Sequence, residues 1–153
     1  FMNRTGVRTF EAAAYLRRCG ADITRVRKMF RDDMESYRAK AEAMRMAEVY
    51  REQYAIADCP SDIASPTVLA AQTANELLDI NGIKASFVLT VYNGRIFLSA
   101  RSIDEVNVQI IAEKLGGGGH INSAGAQFEH TNVKEAIEAL KVTIDQMIEE
   151  GDI

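Results

Sequence analysis

The sequence predicts an α/β chain: a mixed β-sheet flanked by helices, preceded by a helical linker segment. Three observations carry this. Up to about residue 45, apolar residues recur at helical spacing between recognisable caps. Beyond it, short apolar runs alternate with helical stretches, and Asn93-Gly94 joins two of those runs in the manner of a tight hairpin. The chain therefore divides into residues 1–45, a helical linker segment, and residues 46–153, a compact domain.

Taken in order, the opening FMNRTGVRT, with Phe1 ahead of Met2, has no targeting pattern and reads like the middle of a longer protein. TFEAAAYLRRCG then offers Thr9 as N-cap, Arg17 and Arg18 in the last turn and Gly20 as terminator. Asp22 caps a second helix to about Phe30. A third runs from about Asp33 into the 40s, with Met34, Tyr37, Ala41 and Met44 forming a narrow apolar stripe suited to a connector.

AEVYRE and YAIADC are expected as paired strands, closed by Asp58-Cys59-Pro60-Ser61. After Pro66, a favoured first-turn residue, TVLAAQTANELLDI is helical, with Val68, Leu69, Ala71, Leu77 and Leu78 inward and Asn81-Gly82 at its end. SFVLTVY and RIFLSAR flank Asn93-Gly94, which predicts a type I′ turn. Asp104 and Asn107 are candidate caps for a helix over about 105–115, stopped by Gly116. A short strand and a helix from about Asn132 to Glu149 complete the order β-β-α-β-β-α-β-α.

Composition bounds function. With 47% hydrophobic and 26% charged residues and no low-complexity run, 153 residues suffice for a buried core, which excludes a disordered or fibrous chain. A net charge of -4 argues against a general nucleic-acid coat, because such binding rests on clustered Lys and Arg. It does not exclude a small anion, since a local Arg, His and backbone amides set the field near a ligand. Cys19 and Cys59 lack C-x-x-C spacing, so the default compartment is the reducing cytosol. No run of 18 apolar residues marks a membrane span.

The run Leu115-Gly116-Gly117-Gly118-Gly119-His120 is the least ordinary feature. One glycine suffices to end a helix; four allow close backbone approach to a ligand and an anion-binding nest. No Lys-Ser or Lys-Thr follows, as a Walker A loop requires, and no strand precedes it, as a dinucleotide fingerprint requires. The alternative is a flexible turn. His120, at the end of the run, can donate to a phosphate or stack on a base, or it can be a half-buried His bonded to backbone. Arg101 ends an otherwise apolar strand and offers a planar five-donor fork, against the reading of a surface Arg paired with Asp104 or Glu105. Ser99, Ser102 and Asn107 could add neutral hydrogen bonds, Asn107 being equally a helix cap. No nucleophile, base and orienter stand at suggestive spacing, and a two-metal centre cannot be assembled from this chain. No residue is expected to be catalytic or to bind a metal.

The stretch SARSIDEVNVQIIAEKLGGGGHINSAGAQF resembles the signature of the DHHA1 domain, the C-terminal companion of the DHH domain in a phosphoesterase family that includes RecJ exonucleases, nano-RNases and cyclic-di-AMP phosphodiesterases of the GdpP type. The opening NRTGVRTFEAAAYLRRCGAD looks like the sequence that follows the last metal-binding motif of the DHH domain in the GdpP group. The resemblance implies that Arg101, Gly117, Gly118, Gly119 and His120 face the active-site cleft and bind substrate, with Ala124 and Gly125 packing closely in the same motif; Ser102 and Asn107 are added to the substrate-binding set as neutral hydrogen-bonding groups beside them. It further implies that the intact protein hydrolyses cyclic-di-AMP to pApA with two manganese ions held in a missing DHH domain. This chain itself would hold no cofactor and, alone, would be inactive. The expected partners are a cyclic dinucleotide or short nucleotide and the missing DHH domain, with a homodimer allowed for. The place is the cytoplasmic side, without membrane contact by this segment. The alternatives are a nucleic-acid or pAp-binding module of a RecJ or nano-RNase relative, and a structural domain in which the glycines form only a turn.

Overall fold

The computed structural model describes residues 5–103 and 105–153. Two compact units divide at Met34/Glu35. The first holds α1 (Val7–Arg18) and α2 (Ile23–Met29), neither of which buries a residue. Helix α1 begins two residues before the expected Thr9 cap: Gly6 is the N-cap and its carbonyl accepts from the Thr9 N–H at 3.0 Å. Asp22 caps α2 as its short side chain permits, accepting from the Thr24 N–H at 2.8 Å.

The second unit contains α3 (Met34–Arg45) from Glu35 onward, β1 (Glu48–Tyr50), β2 (Tyr54–Cys59), α4 (Pro66–Leu77), β3 (Ala85–Tyr92), β4 (Arg95–Ser102), α5 (Val108–Lys114), β5 (Gly118–His120), β6 (Ser123–Phe128) and α6 (Val133–Glu150). Helix α3, expected in the helical segment 1–45, groups with the second unit by its contacts. That helix turns inward not Met34 and Tyr37, which are exposed, but Ala43, Ala39, Met44 and the stem of Lys40. Small side chains let it sit close, and Lys40 keeps its ammonium on Glu76 at 2.6 Å.

The sheet is mixed, in the order β1-β2-β3-β4-β6-β5. Among the described residues only β2 and β3 run parallel, joined through α4; the other neighbours are antiparallel. Asn93 and Gly94 both have positive φ, 50° and 74°, as a type I′ turn requires, and they lock β3 to β4 in full register.

Helices cover both faces. On one, Phe87, Leu89, Leu98 and Ala100 meet Val108 and Ile111 of α5 and Leu140, Ile144 and Met147 of α6. On the other, Ala55, Ala57, Cys59 and Val88 meet Leu69, Ala70, Ala74 and Leu77 of α4. Val68, expected inward, is exposed. The buried hydroxyls on this face are satisfied by backbone, Ser86 donating to Ala74 O at 2.6 Å and Thr90 to Cys59 O at 3.1 Å.

Two further details depart from the expected elements. Helix α5 starts at Val108, and of its two candidate caps Asn107 performs the role, accepting from the Gln109 N–H at 3.1 Å; Asp104 lies outside the described residues. The glycine run does not stay a loop: Gly118–His120 forms an extra edge strand, giving β-β-α-β-β-α-β-β-α. Among the described residues no helix is long and apolar enough to cross a membrane.

Candidate functional site

Side chains on a strand alternate between faces, and residues directly opposite one another on neighbouring strands share a face. Arg101 pairs with Ser123 across β4 and β6, and His120 pairs with the same Ser123 across β5 and β6. The next row on this face is Ser99, Gly125 and Gly118, and the one after it Phe97 and Gln127. It is the α4 face of the sheet, yet the buried cluster under α4 contains no residue of β4, β5 or β6. The β6 and β5 part of the face is left open: His120, Ser123 and Gln127 are exposed, and Arg101, Ser99 and Phe97 on β4 beside them are half-buried.

The glycine run is shaped by its neighbours. Gly116 takes a left-handed conformation at φ 78° and donates to Glu113 O at 3.0 Å, and Gly117 donates to Ala112 O at 2.7 Å. This pair of bonds closes α5 in a Schellman motif, so those two amides are engaged by the helix and do not belong to an anion nest. A Cβ on Gly117 would overlap the Gly125 carbonyl oxygen, and one on Gly119 would lie 2.5 Å from the Ala124 Cα. Both glycines are needed to lay β5 against β6. Gly118 has open space where its Cβ would be.

Arg101 donates through Nη1 to Ala100 O at 2.8 Å, and burial pushes its guanidinium below the usual arginine value. Of its two expected rivals for an ion pair, Glu105 bonds instead to Lys84 at 3.0 Å, and Asp104 lies outside the described residues. A partly desolvated Arg fork beside a His and a Ser hydroxyl is suited to bind a phosphate, because charge-assisted hydrogen bonds strengthen as water is excluded.

Of the residues expected to bind substrate, the structure brings Arg101, Gly118 and His120 to this open face and uses Gly117 and Gly119 to build its edge. Ser102 and Asn107 are not brought to it. Ser102 follows Arg101 on a strand and so points to the opposite side, buried, with its hydroxyl on Ile121 O at 3.3 Å. The Asn107 side-chain oxygen is committed to its own helix. Ser123, Phe97 and Gln127 were not singled out by the sequence; Phe97 could have been found by counting back in twos from Arg101, whereas Ser123 and Gln127 depend on strand pairing. Among the described residues no three His, Cys, Asp or Glu side chains gather as a metal site.

The DHHA1 domain family matches residues 52–150. Among curated proteins, the chain is 40% identical over 146 residues to the cyclic-di-AMP phosphodiesterase PdeA of Listeria monocytogenes and 42% identical over 154 residues to the cyclic-di-AMP phosphodiesterase GdpP of Bacillus subtilis. These alignments cover 95% and 99% of the chain but 22% and 23% of the relatives' lengths. In solved structures, an exopolyphosphatase-related protein from Bacteroides fragilis superposes with a TM-score of 0.80 at 19% identity, over 95% of this chain and 45% of that one. The pGpG-specific phosphodiesterase PggH of Vibrio cholerae gives 0.51 at 15%, over 95% and 53%. At these identities the superpositions speak to fold.

Proposed function

The chain belongs to the DHHA1 domain family, and from that premise we propose that it is the substrate-binding part of a metal-dependent phosphodiesterase that hydrolyses cyclic-di-AMP to pApA. The observation that carries the reading is the convergence of Arg101 and His120 on Ser123 at the open part of the sheet. The likeness to two phosphodiesterases named for cyclic-di-AMP supports the choice of substrate.

In this reading the Arg101 fork and the His120 ring hold a substrate phosphate and offset its charge, and their placement on strands keeps the donors oriented before the ligand arrives. The described residues do not assemble a metal site. The two manganese ions and the bond-breaking step are proposed for the DHH domain, and this chain contributes binding and orientation. Helices α1 and α2, which expose Phe10, Leu16, Met29 and Phe30, are proposed to be covered by that domain, or by a second copy in its absence. The assembly is proposed to act on the cytoplasmic side.

The test is a two-dimensional amide NMR titration of the chain with cyclic-di-AMP, pApA, AMP and a short oligonucleotide, repeated on Arg101→Ala and His120→Ala. Shifts centred on Gly118–His120, strongest for the adenine dinucleotides and lost in both variants, are expected. Preference for the oligonucleotide would replace this reading with a nucleic-acid module. Shifts that survive both substitutions would remove the phosphate site from this face.

A further inference from the structure

Four residues along β4 from Arg101, on the same face, stands Phe97, and opposite it on β6 stands Gln127. Between these two ends the floor consists of Ser99, Gly125 and Gly118, so backbone lies bare along the open face. At about 3.3 Å per residue the Cα positions of Arg101 and Phe97 are about 13 Å apart, comparable with the length of a nucleotide from phosphate to the far edge of its base.

The Phe97 end is recessed. A depression of about 350 Å³ is lined there by Phe97, Gly116, Gly117, Gly125 and Gln127 among others. The glycines let the backbone that lines it pack closely: Gly117 cannot carry a Cβ without striking Gly125 O, nor Gly125 without coming within 2.6 Å of Leu98 O. The Phe97 ring is steadied by Tyr92, with centroids 6.0 Å apart and planes at 61°, while Gln127 is exposed, with an amide that can donate and accept at once. An aromatic ring beside an exposed primary amide, at one end of a trough whose other end holds Arg and His, is a pattern for stacking a base and reading its edge.

We propose that Phe97 and Gln127 form a nucleobase subsite, the ring stacking on the base and the amide bonding its edge, with the sugar lying over Ser99, Gly125 and Gly118. This rests on the reading of Arg101 and His120 as the phosphate end and adds what selects a nucleotide over a bare phosphoester. Neither residue touches the phosphate, so they act as specificity determinants.

The experiment titrates the chain with AMP and with ribose 5-phosphate, which carries the same phosphate and sugar but no base, and follows amide shifts in the unsubstituted chain and in Phe97→Ala, Phe97→Leu and Gln127→Ala. Expected are AMP shifts at both ends of the trough, and ribose 5-phosphate shifts at Gly118–His120, Ser99 and Gly125 but not at Phe97 or Gln127. Both Phe97 variants should weaken AMP about tenfold and leave ribose 5-phosphate unchanged, in keeping with the worth of a base–aromatic stack. Phe97→Leu retains apolar bulk and guards against a folding defect in Phe97→Ala. Shifts at the phosphate end for both ligands, with none at Phe97 or Gln127, would overturn the base subsite and leave the phosphate reading standing. No shift at Gly118–His120 with either ligand would overturn both.

Discussion

Arg101 and His120 stand two strands apart on one face of the sheet, each directly opposite Ser123. They are 19 positions apart in sequence, and a helix and a glycine run lie between them. Their common partner means that any shift in the β5/β6 register by one residue would turn His120 to the other face and separate it from Arg101. The glycines that fix that register are thus as much a part of the candidate site as the groups that face it.

Gly117→Ala and Gly119→Ala are therefore expected to destabilise the fold, whereas Gly118→Ala should not. A new Cβ meets the backbone of β6 at the first two positions and open space at the third. Overpacking of this kind costs about 1–3 kcal/mol, so the urea midpoints of the first two variants should fall while that of Gly118→Ala stays with the parent. Equal midpoints for all three would show that β5 does not lie against β6 as described.

Arg101→Lys is expected to weaken AMP binding about tenfold despite keeping the charge, since a single ammonium cannot reproduce a planar fork. Calorimetric titration of AMP against both proteins checks this. An unchanged affinity would mean that Arg101 acts only as a point charge.

Ser102→Ala should separate stability from binding. Its hydroxyl is buried against Ile121 O, and losing such a bond costs about 1 kcal/mol. The expected outcome is a lower denaturation midpoint with AMP affinity unchanged. Asn107→Ala should behave likewise, losing a helix cap worth about 0.5–2 kcal/mol. A selective loss of affinity in either variant would return that residue to the substrate-binding set.

Asp145 gives the fold an acid-sensitive clasp. It accepts from Arg51 Nε at 3.0 Å and from the Tyr50 hydroxyl at 2.8 Å, tying the β1 edge to α6. Hydrogen bonding by Arg51, then by Tyr50, holds its carboxyl below the ordinary value of 3.8. A depressed folded value means that the contribution is present above pH 3.8 and is lost as pH falls through the lowered value. Asp145→Asn should lower the urea midpoint at neutral pH, and the gap from the parent should narrow on acidification below that point. A gap independent of pH would show that the clasp acts through shape and not charge. The effect is expected to be small, because Arg51 is exposed and Asp145 only half-buried, which leaves the pair screened by solvent.

Much was legible in the residues themselves. Asp22, Asn107 and Asn132 cap helices because a short side-chain acceptor meets the orphan N–H groups of a first turn. Asn93-Gly94 makes its hairpin because both positions tolerate positive φ. These are local effects, settled within a few residues. The glycine-histidine run and Arg101 also stood out, since neither is what a simple turn or an apolar strand calls for.

What the sequence alone determined, then, was the type of most elements, several of the caps and turns that bound them, and the unusual residues of the candidate site. Tertiary structure decided the rest. That α3 joins the second unit depends on Ala43 finding a sheet and α4 to pack on, and that Gly118–His120 becomes a strand depends on β6 supplying the hydrogen bonds. Whether Ser102 or Ser123 accompanies Arg101 is settled by alternation along β4 and by register with β6, a pairing across more than twenty residues that no local pattern encodes. The physical reason is one of range: backbone conformation responds to neighbours in the chain, while the face a side chain shares is fixed by strands that meet only once the sheet has formed.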